Sequence, residues 1–387
     1  MTNNMINLRK FVAPEFIYGP GARLLAGNFI LKLGVSKVMI VSDPGVKQAG
    51  WVDQILGSLK QENIKFTCFD EVSPNPRDYQ VMQGAEVFLR ENCEAIVAVG
   101  GGSPMDLAKG VGVVASNQKH VLEFEGIDRV DTPSPPLICI PTTAGSSADV
   151  SQFAIINDTD RMVKIAIVSK AVVPDMALID PETTLTMDRE LTAATAMDAL
   201  THAVEAYVSR AAFSITDSHA LQAIRMINEN LLHAVDNPEQ IDYRDRLMLA
   251  SLHAGLAFSN AILGAVHAMA HSLGGLMDFP HGLCNALLLS HVISFNFDAA
   301  PDKYTRIARV LGIETQGMHP DQVREELSRH IFDLHYRAGL TEPFGALGLQ
   351  ENSIPELASK ALNDPCMTTN PKDMSISDVQ EIFRKSL

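Results

Sequence analysis

The chain has 387 residues, 46% of them hydrophobic and 20% charged, with a formal net charge of −15. That size and apolar content suit a folded protein with two cores rather than a disordered one, and the acidic balance disfavours nucleic-acid phosphates and anionic lipid surfaces as partners. No run reaches the ~18–20 apolar residues of a membrane span, the start MTNNMINLRKF lacks a signal core, and five scattered cysteines without Cys-x-x-Cys spacing suggest neither a disulfide framework nor a thiolate zinc site, so the expected location is the cytoplasm.

From the N-terminus to about residue 180, short β-branched runs alternate with amphipathic segments, the signature of parallel α/β units. The clearest strands are 38–41, 95–99 and 137–140, and each runs directly into a polar or glycine-rich turn. Ligands of open α/β sheets bind beyond such carboxyl ends.

The first of these turns carries Asp43, whose carboxylate could accept hydrogen bonds from a ribose and repel a 2′-phosphate, favouring NAD over NADP. The competing reading is an Asp-Pro-Gly turn that uses the carboxylate as a local cap. The second turn reads Gly100-Gly101-Gly102-Ser103-Pro104-Met105-Asp106, ahead of a helix. Here Ser103 is expected to be the N-cap, Pro104 the first helical residue and Asp106 the third, as in a capping box. Consecutive glycines let backbone N–H groups approach an anion, and a pyrophosphate fits better than a plain turn. The G-x-G-x-x-G fingerprint is absent, so a standard Rossmann motif is not expected. At the third strand end Thr142, Thr143 and Ser147 supply hydroxyls, with a capped turn as the alternative.

After about residue 181 stretches rich in Ala, Leu, Met and His at helical spacing take over. A helix is predicted to open near Asp188 or Thr192, with others over roughly 214–235, 241–258, 260–275 and 302–311 and shorter ones beyond 319. The expected fold class is therefore an α/β dinucleotide-binding domain with a parallel sheet (1–184) plus an all-α metal-binding domain (185–387), with the active site in the cleft between them.

Asp198 and His202 are four apart and share one helix face, as do His267 and His271, while His281 follows at a Phe-Pro-His-Gly turn. Three imidazoles and a carboxylate without sulfur suit Fe²⁺ or Zn²⁺. A lone histidine is more often a core or surface residue, and those at 120, 233, 319, 330 and 335 are read so, with His219, His253 and His291 left open. No His-Glu-x-x-His is present, which argues against a zincin protease.

GGGSPMDLAK (100–109), IPTTAGSS (140–147), AMDALTHAVEAY (196–207) and GAVHAMAHSLGG (264–275) followed by FPHG resemble the iron-containing (group III) alcohol dehydrogenase family, over nearly the whole chain. The resemblance implies a small alcohol, diol or aldehyde substrate, a homodimer or larger homo-oligomer, and NAD with Fe²⁺ or alternatively Zn²⁺ as cofactors. It implies Asp198, His202, His267 and His281 as metal ligands, His271 as a metal-adjacent residue near the substrate, and Asp43, Asn75, Gly101, Gly102, Ser103, Thr142, Thr143 and Lys164 around the NAD; His271, or water, is then expected to take the alcohol proton, which makes His271 the candidate catalytic residue. Asp106 and Ser147 are added from their turns.

One segment departs from the family pattern: PTTAGSSADVS stands where the family commonly reads PTTAGTGSEVT, with Ser147 for a glycine and Asp149 for a glutamate. Similar wording occurs in alcohol dehydrogenase-like regulatory proteins, so a redox-sensing protein with weak turnover is the alternative function. A lyase of the dehydroquinate synthase type shares the two-domain plan but needs basic residues near the metal, and the 267–281 segment has none.

Overall fold

A computed structural model describes residues 8–387. Its first half alternates strand and helix: β1 (Glu15–Tyr18), α1 (Ala26–Lys32), β2 (Lys37–Val41), α2 (Pro44–Gln48), α3 (Trp51–Gln61), β3 (Lys65–Phe69), α4 (Asp78–Arg90), β4 (Ala95–Gly100), α5 (Gly102–Asn117), β5 (Gly126–Ile127), β6 (Leu137–Pro141), β7 (Phe153–Asp158), β8 (Val163–Val168) and β9 (Met176–Ile179). Six of these strands form one sheet in the order β1-β9-β6-β4-β2-β3, and every pairing in it is parallel. Alternate side chains leave a strand on opposite faces, and both faces here are buried. Val38 and Ile40 join the core under α1 and α3, while Met39 and Val41 join the one under α4 and α5. That two-sided burial makes the strands read as continuous apolar runs.

The parallel pattern does not extend to the end of this half. Strands β5, β8 and β7 make a small separate sheet in which β7 and β8 pair antiparallel, Phe153 opposite Val168 through Asp158 opposite Val163. A tight turn reverses the chain there without a crossover helix.

After β9 and the short turn Pro181–Thr186 the chain is helical: α6 (Arg189–Val208), α7 (Ser214–Asp236), α8 (Ile241–Ala261), α9 (Ala265–Met277), α10 (His281–Asn296), α11 (Pro301–Val310), α12 (Pro320–Arg337), α13 (Ile354–Leu362) and α14 (Ile376–Lys385). The α/β half with its parallel sheet and the helical half match the expected fold class. Asp188 caps α6 by accepting from Leu191 N at 2.7 Å, as its position before the apolar run predicts. Met197, Leu200, Ala203 and Val204 of α6 are all buried in one core with α7, α8, α9 and α10, so this helix is wrapped on most sides. Small alanines at its surface let those neighbours approach. Among the described residues no single helix is long and apolar enough to cross a membrane; α8 and α9 pass only as a pair, and they meet at 98°.

Two local expectations are corrected. Gly101, not Ser103, is the N-cap of α5, and no side chain caps that end; extended backbone at Gly101 starts the helix two residues earlier than the Ser-Pro signal suggests. His281 does not sit in a turn but is the first residue of α10, because Pro280 ahead of it fixes an entry the helix can follow.

Candidate metal and dinucleotide site

The carboxyl ends of β2, β4 and β6 open on a cleft of about 1120 Å³ whose opposite wall is built from α6, α8, α9 and the start of α10. At β4 the chain must turn within a residue: Gly100 takes φ 154°, and a Cβ on it would lie 2.6 Å from Pro104 Cγ. Cβ atoms on Gly101 and Gly102 would press on Thr143 and Ser146 at 3.2 and 3.0 Å. Bare backbone therefore lines the cleft there, and the uncapped first turn of α5 leaves its N–H groups without an intramolecular acceptor. Such an arrangement can hold an anionic group by its backbone N–H groups.

Asp43 combines both of its sequence readings. Its Oδ1 accepts from Val46 N at 2.9 Å and caps α2, and the residue lines the cleft next to Gly101. Asn75, at φ 53°, accepts from Lys164 Nζ at 2.8 Å and donates to Asp278 Oδ1 at 2.8 Å, joining the loop before α4 to the end of α9. Burial lowers the Lys164 pKa. Burial also pushes the Asp106 carboxyl up to about 6, against the pull of Lys109. Lys109 itself is structural: its ammonium donates to Ser151 O at 2.9 Å and Phe153 O at 2.7 Å.

Ser147 is the exception among the fifteen residues named from sequence. It takes φ 50°, is buried, and turns its hydroxyl into α8, donating to Ser251 O at 2.7 Å. Its place on the cleft wall is taken by Ser146, together with Thr142 and Thr143. A left-handed backbone explains why glycine suits this position, and the hydroxyl bond explains how serine is held there.

Across the cleft Asp198 Oδ1 is a hub. The Nε2 atoms of His267, His281 and His202 lie 3.6, 3.7 and 3.8 Å from it. These separations exceed hydrogen bonds but are close to the roughly 3.4 Å between donors that share one ion at about 2.1 Å. Asp198, His202 and His267 are buried, whereas His281 opens to the cleft. Burial pushes the Asp198 carboxyl up, yet His202 and His281 with His267 hold it well below the usual carboxylate range. Lone pairs thus converge on a small volume with one nearby donor, Asn285 Nδ2, at 2.7 Å from Asp198 Oδ1. The donor chemistry fits a divalent cation.

Neighbouring groups fix the imidazoles. His202 stacks between Phe258 and His267, with centroids at 4.3 and 4.5 Å. His267 Nδ1 meets Glu205 Oε2 at 2.7 Å, and the same buried carboxylate accepts from Gly264 N at 3.0 Å and Val266 N at 2.7 Å. The Nδ1–H of His267 is thereby committed to Glu205 and Nε2 keeps its lone pair for the hub. His271, one turn on, is not at the hub: its Nδ1 pairs with Asp364 Oδ2 at 2.8 Å. Burial raises the Asp364 carboxyl, but His271 outweighs it and keeps the group below its ordinary value, so Nδ1–H donates and Nε2 is the free ring nitrogen.

Sequence reading missed Ser146, Glu205, Asn285, Phe258 and Asp364. Asn285 lies four residues after His281 and Glu205 three after His202, spacings that could have flagged them. Asp364 is 93 residues from its partner, and no local pattern announces it.

Two family descriptions match the chain: iron-containing alcohol dehydrogenase over residues 13–181 and the C-terminal part of the Fe-containing alcohol dehydrogenase family over 192–387. The 1,3-propanediol dehydrogenase of Citrobacter freundii is 41% identical over 371 residues, covering 95% of this chain and 96% of the relative. The NAD-dependent methanol dehydrogenase of Bacillus methanolicus is 34% identical over 377 residues, covering 97% and 99%. A crystal structure of 1,3-propanediol oxidoreductase superposes with a TM-score of 0.95 at 39% identity, covering 98% of this chain and 100% of that one.

Proposed function

Since the chain belongs to the iron-containing alcohol dehydrogenase family and is an NAD-linked, iron-dependent oxidoreductase of alcohols and aldehydes, we propose that its cleft interconverts a small, uncharged primary alcohol or diol and the matching aldehyde. The observation that carries this reading is the hub itself: three imidazole nitrogens around Asp198 Oδ1, facing the uncapped end of α5 across one cleft walled by Phe258, Ile262, Leu263 and Val168.

Asp198, His202, His267 and His281 would hold the iron, and the first turn of α5 would receive the pyrophosphate, with Asp43, Asn75, Thr142, Thr143 and Lys164 around the rest of the dinucleotide. When bound, Fe²⁺ supplies the positive charge that acidifies an alcohol hydroxyl, and NAD⁺ supplies the acceptor for hydride from the carbinol carbon. His271 accepts the alcohol proton at Nε2, because Asp364 occupies Nδ1–H and so fixes which nitrogen offers a lone pair. Phe258 and its apolar neighbours exclude water from the reacting face. Cytoplasmic placement and assembly into a homodimer or larger homo-oligomer belong to the same proposal; Phe16, 40% exposed on edge strand β1, supports self-association.

A panel of short primary alcohols and diols, assayed with NAD⁺ and with NADP⁺ after anaerobic loading with Fe²⁺ or Zn²⁺, tests the reading. NADH formation with the Fe²⁺-loaded protein on several panel members is expected. Full activity in metal-free protein, or none on any member, would overturn it.

A further inference from the structure

Of the residues with positive φ, Ile262 stands apart. Among the described residues nine non-glycines take φ above zero, and the others are Asn63, Asn75, Asn92, Gln118, Asp128, Ser147, Met162 and Asp278. Most of these are short polar side chains, which tolerate the left-handed region. Ile262 is the one β-branched member, and its ψ of −174° takes it out of that region into one that glycine alone adopts freely. It does so directly at the end of α8, where the chain turns 98° into α9.

The surroundings hold it there. Ile262 N donates to Phe258 O at 2.8 Å, Thr369 Oγ1 donates to Leu263 O at 2.6 Å, Gly264 N is bound by Glu205 Oε2 and Ala265 N by Asn370 Oδ1 at 3.2 Å. With each neighbouring peptide pinned, the chain cannot rotate Ile262 out of strain without breaking the turn that brings His267 to the hub. Glycine would meet the same bonds with no steric cost. A four-carbon branched side chain stands there instead, half-buried, on the cleft wall. It belongs to the metal end of the cleft: Phe258, one turn before it, stacks on His202, and His267 follows five residues later.

We propose that Ile262 sets the upper size of the alcohol this protein accepts, its side chain filling volume that a longer or branched substrate would need. The inference rests on the alcohol-oxidising reading of the cleft. Strained backbone kept at a ligand cleft, where an unstrained residue is sterically available, is the pattern of a position whose side chain has a role. The chemistry it selects against is bulk at or beyond the second carbon, since an apolar wall gives a straight short chain contact and a branched one a clash.

The test uses the Fe²⁺-loaded full chain and two variants, Ile262→Gly and Ile262→Ala. The readout is the ratio of kcat/KM for 3-methyl-1-butanol to that for 1-propanol, with bound iron and thermal midpoint measured alongside. Both variants should raise the ratio about tenfold while retaining iron, and only Ile262→Gly should also hold or raise the thermal midpoint, because only glycine removes the strain as well as the bulk. An unchanged ratio in both iron-loaded variants sinks the inference and leaves the alcohol reading intact. A ratio that rises only with loss of iron also overturns it, by assigning Ile262 to the support of the hub. Wild-type protein inactive on every alcohol would remove the reading on which it rests.

Discussion

Glutamine in place of Glu205 keeps the shape of the side chain and one acceptor oxygen but turns the other into a donor. In the native site Oε1 takes Val266 N, and Oε2 takes both Gly264 N and His267 Nδ1. Whichever way the amide lies, its NH₂ faces at least one of these donors. If the amide oxygen stays on the Oε2 side, Val266 N loses its partner; if it turns away, His267 is driven toward the other tautomer and Nε2 becomes a donor aimed at the hub. Losing a partner that orients a ligating histidine costs about 10- to 100-fold in metal affinity, or about 1.4–2.7 kcal/mol. Losing a charge-assisted hydrogen bond costs the metal-free fold about 1.5–3 kcal/mol. Glu205→Gln is therefore expected to weaken Co²⁺ and Fe²⁺ by one to two orders of magnitude in chelator competition, and to alter the visible spectrum of the Co²⁺ form. Metal dissociation constants within threefold of wild type in a folded variant would refute the reasoning. A fall in metal-free stability with no change in metal affinity would reduce Glu205 to the capping of α9.

Three further outcomes follow from the same geometry. Asp364→Asn should lower kcat by about 10- to 100-fold, part of the 10²–10⁴ that a general base supplies, with KM and bound iron little changed; loss of iron would put His271 among the ligands. Burial raises the Asp149 carboxyl to about 6, above its ordinary unfolded value, so its contribution to stability is complete below about pH 4 and is lost as pH rises through 6. Relative to Asp149→Asn, the wild type should lose about 3 kcal/mol of unfolding free energy between pH 4 and 8, and a pH-independent difference in urea unfolding would contradict this. Chelation should lower the thermal midpoint reversibly, with Fe²⁺ at a hundredfold its Kd restoring about 2.7 kcal/mol; identical melts with and without metal would count against a preformed hub.

The parts of the site legible in the sequence are those encoded within one turn of chain. Three glycines after an apolar run, and Asp198–His202 four apart, declare themselves because strand-to-helix turns and helix faces are local. The Ser-Pro signal points to Ser103 as the cap of α5, whereas Gly101 adopts the extended backbone a cap needs without offering a side chain, and the free N–H groups of that turn depend on that lack. Ser147 illustrates a different limit: its spacing matches Thr142 and Thr143, but a φ of 50° turns it into α8. The antiparallel β7–β8 pair escaped because its alternation is masked by burial on both faces. Asp364 and Glu205 find their histidines only through the packing of separate helices, and no window of sequence contains both partners.

The hub also carries a timetable. Its donors sit on α6, α9 and α10, and Asp198 meets His267 and His281 only after the 98° turn at Ile262 has formed. During synthesis all six strands of the parallel sheet precede Asp198, and the last member of the cluster arrives with α10. The convergent cluster therefore does not exist on the nascent chain while the α/β half folds, and early exposure to cations meets isolated histidines instead of a convergent set. A metal held by this cluster is therefore captured only after α10 has been made, so the ions present at that stage matter more than those met by the earlier chain.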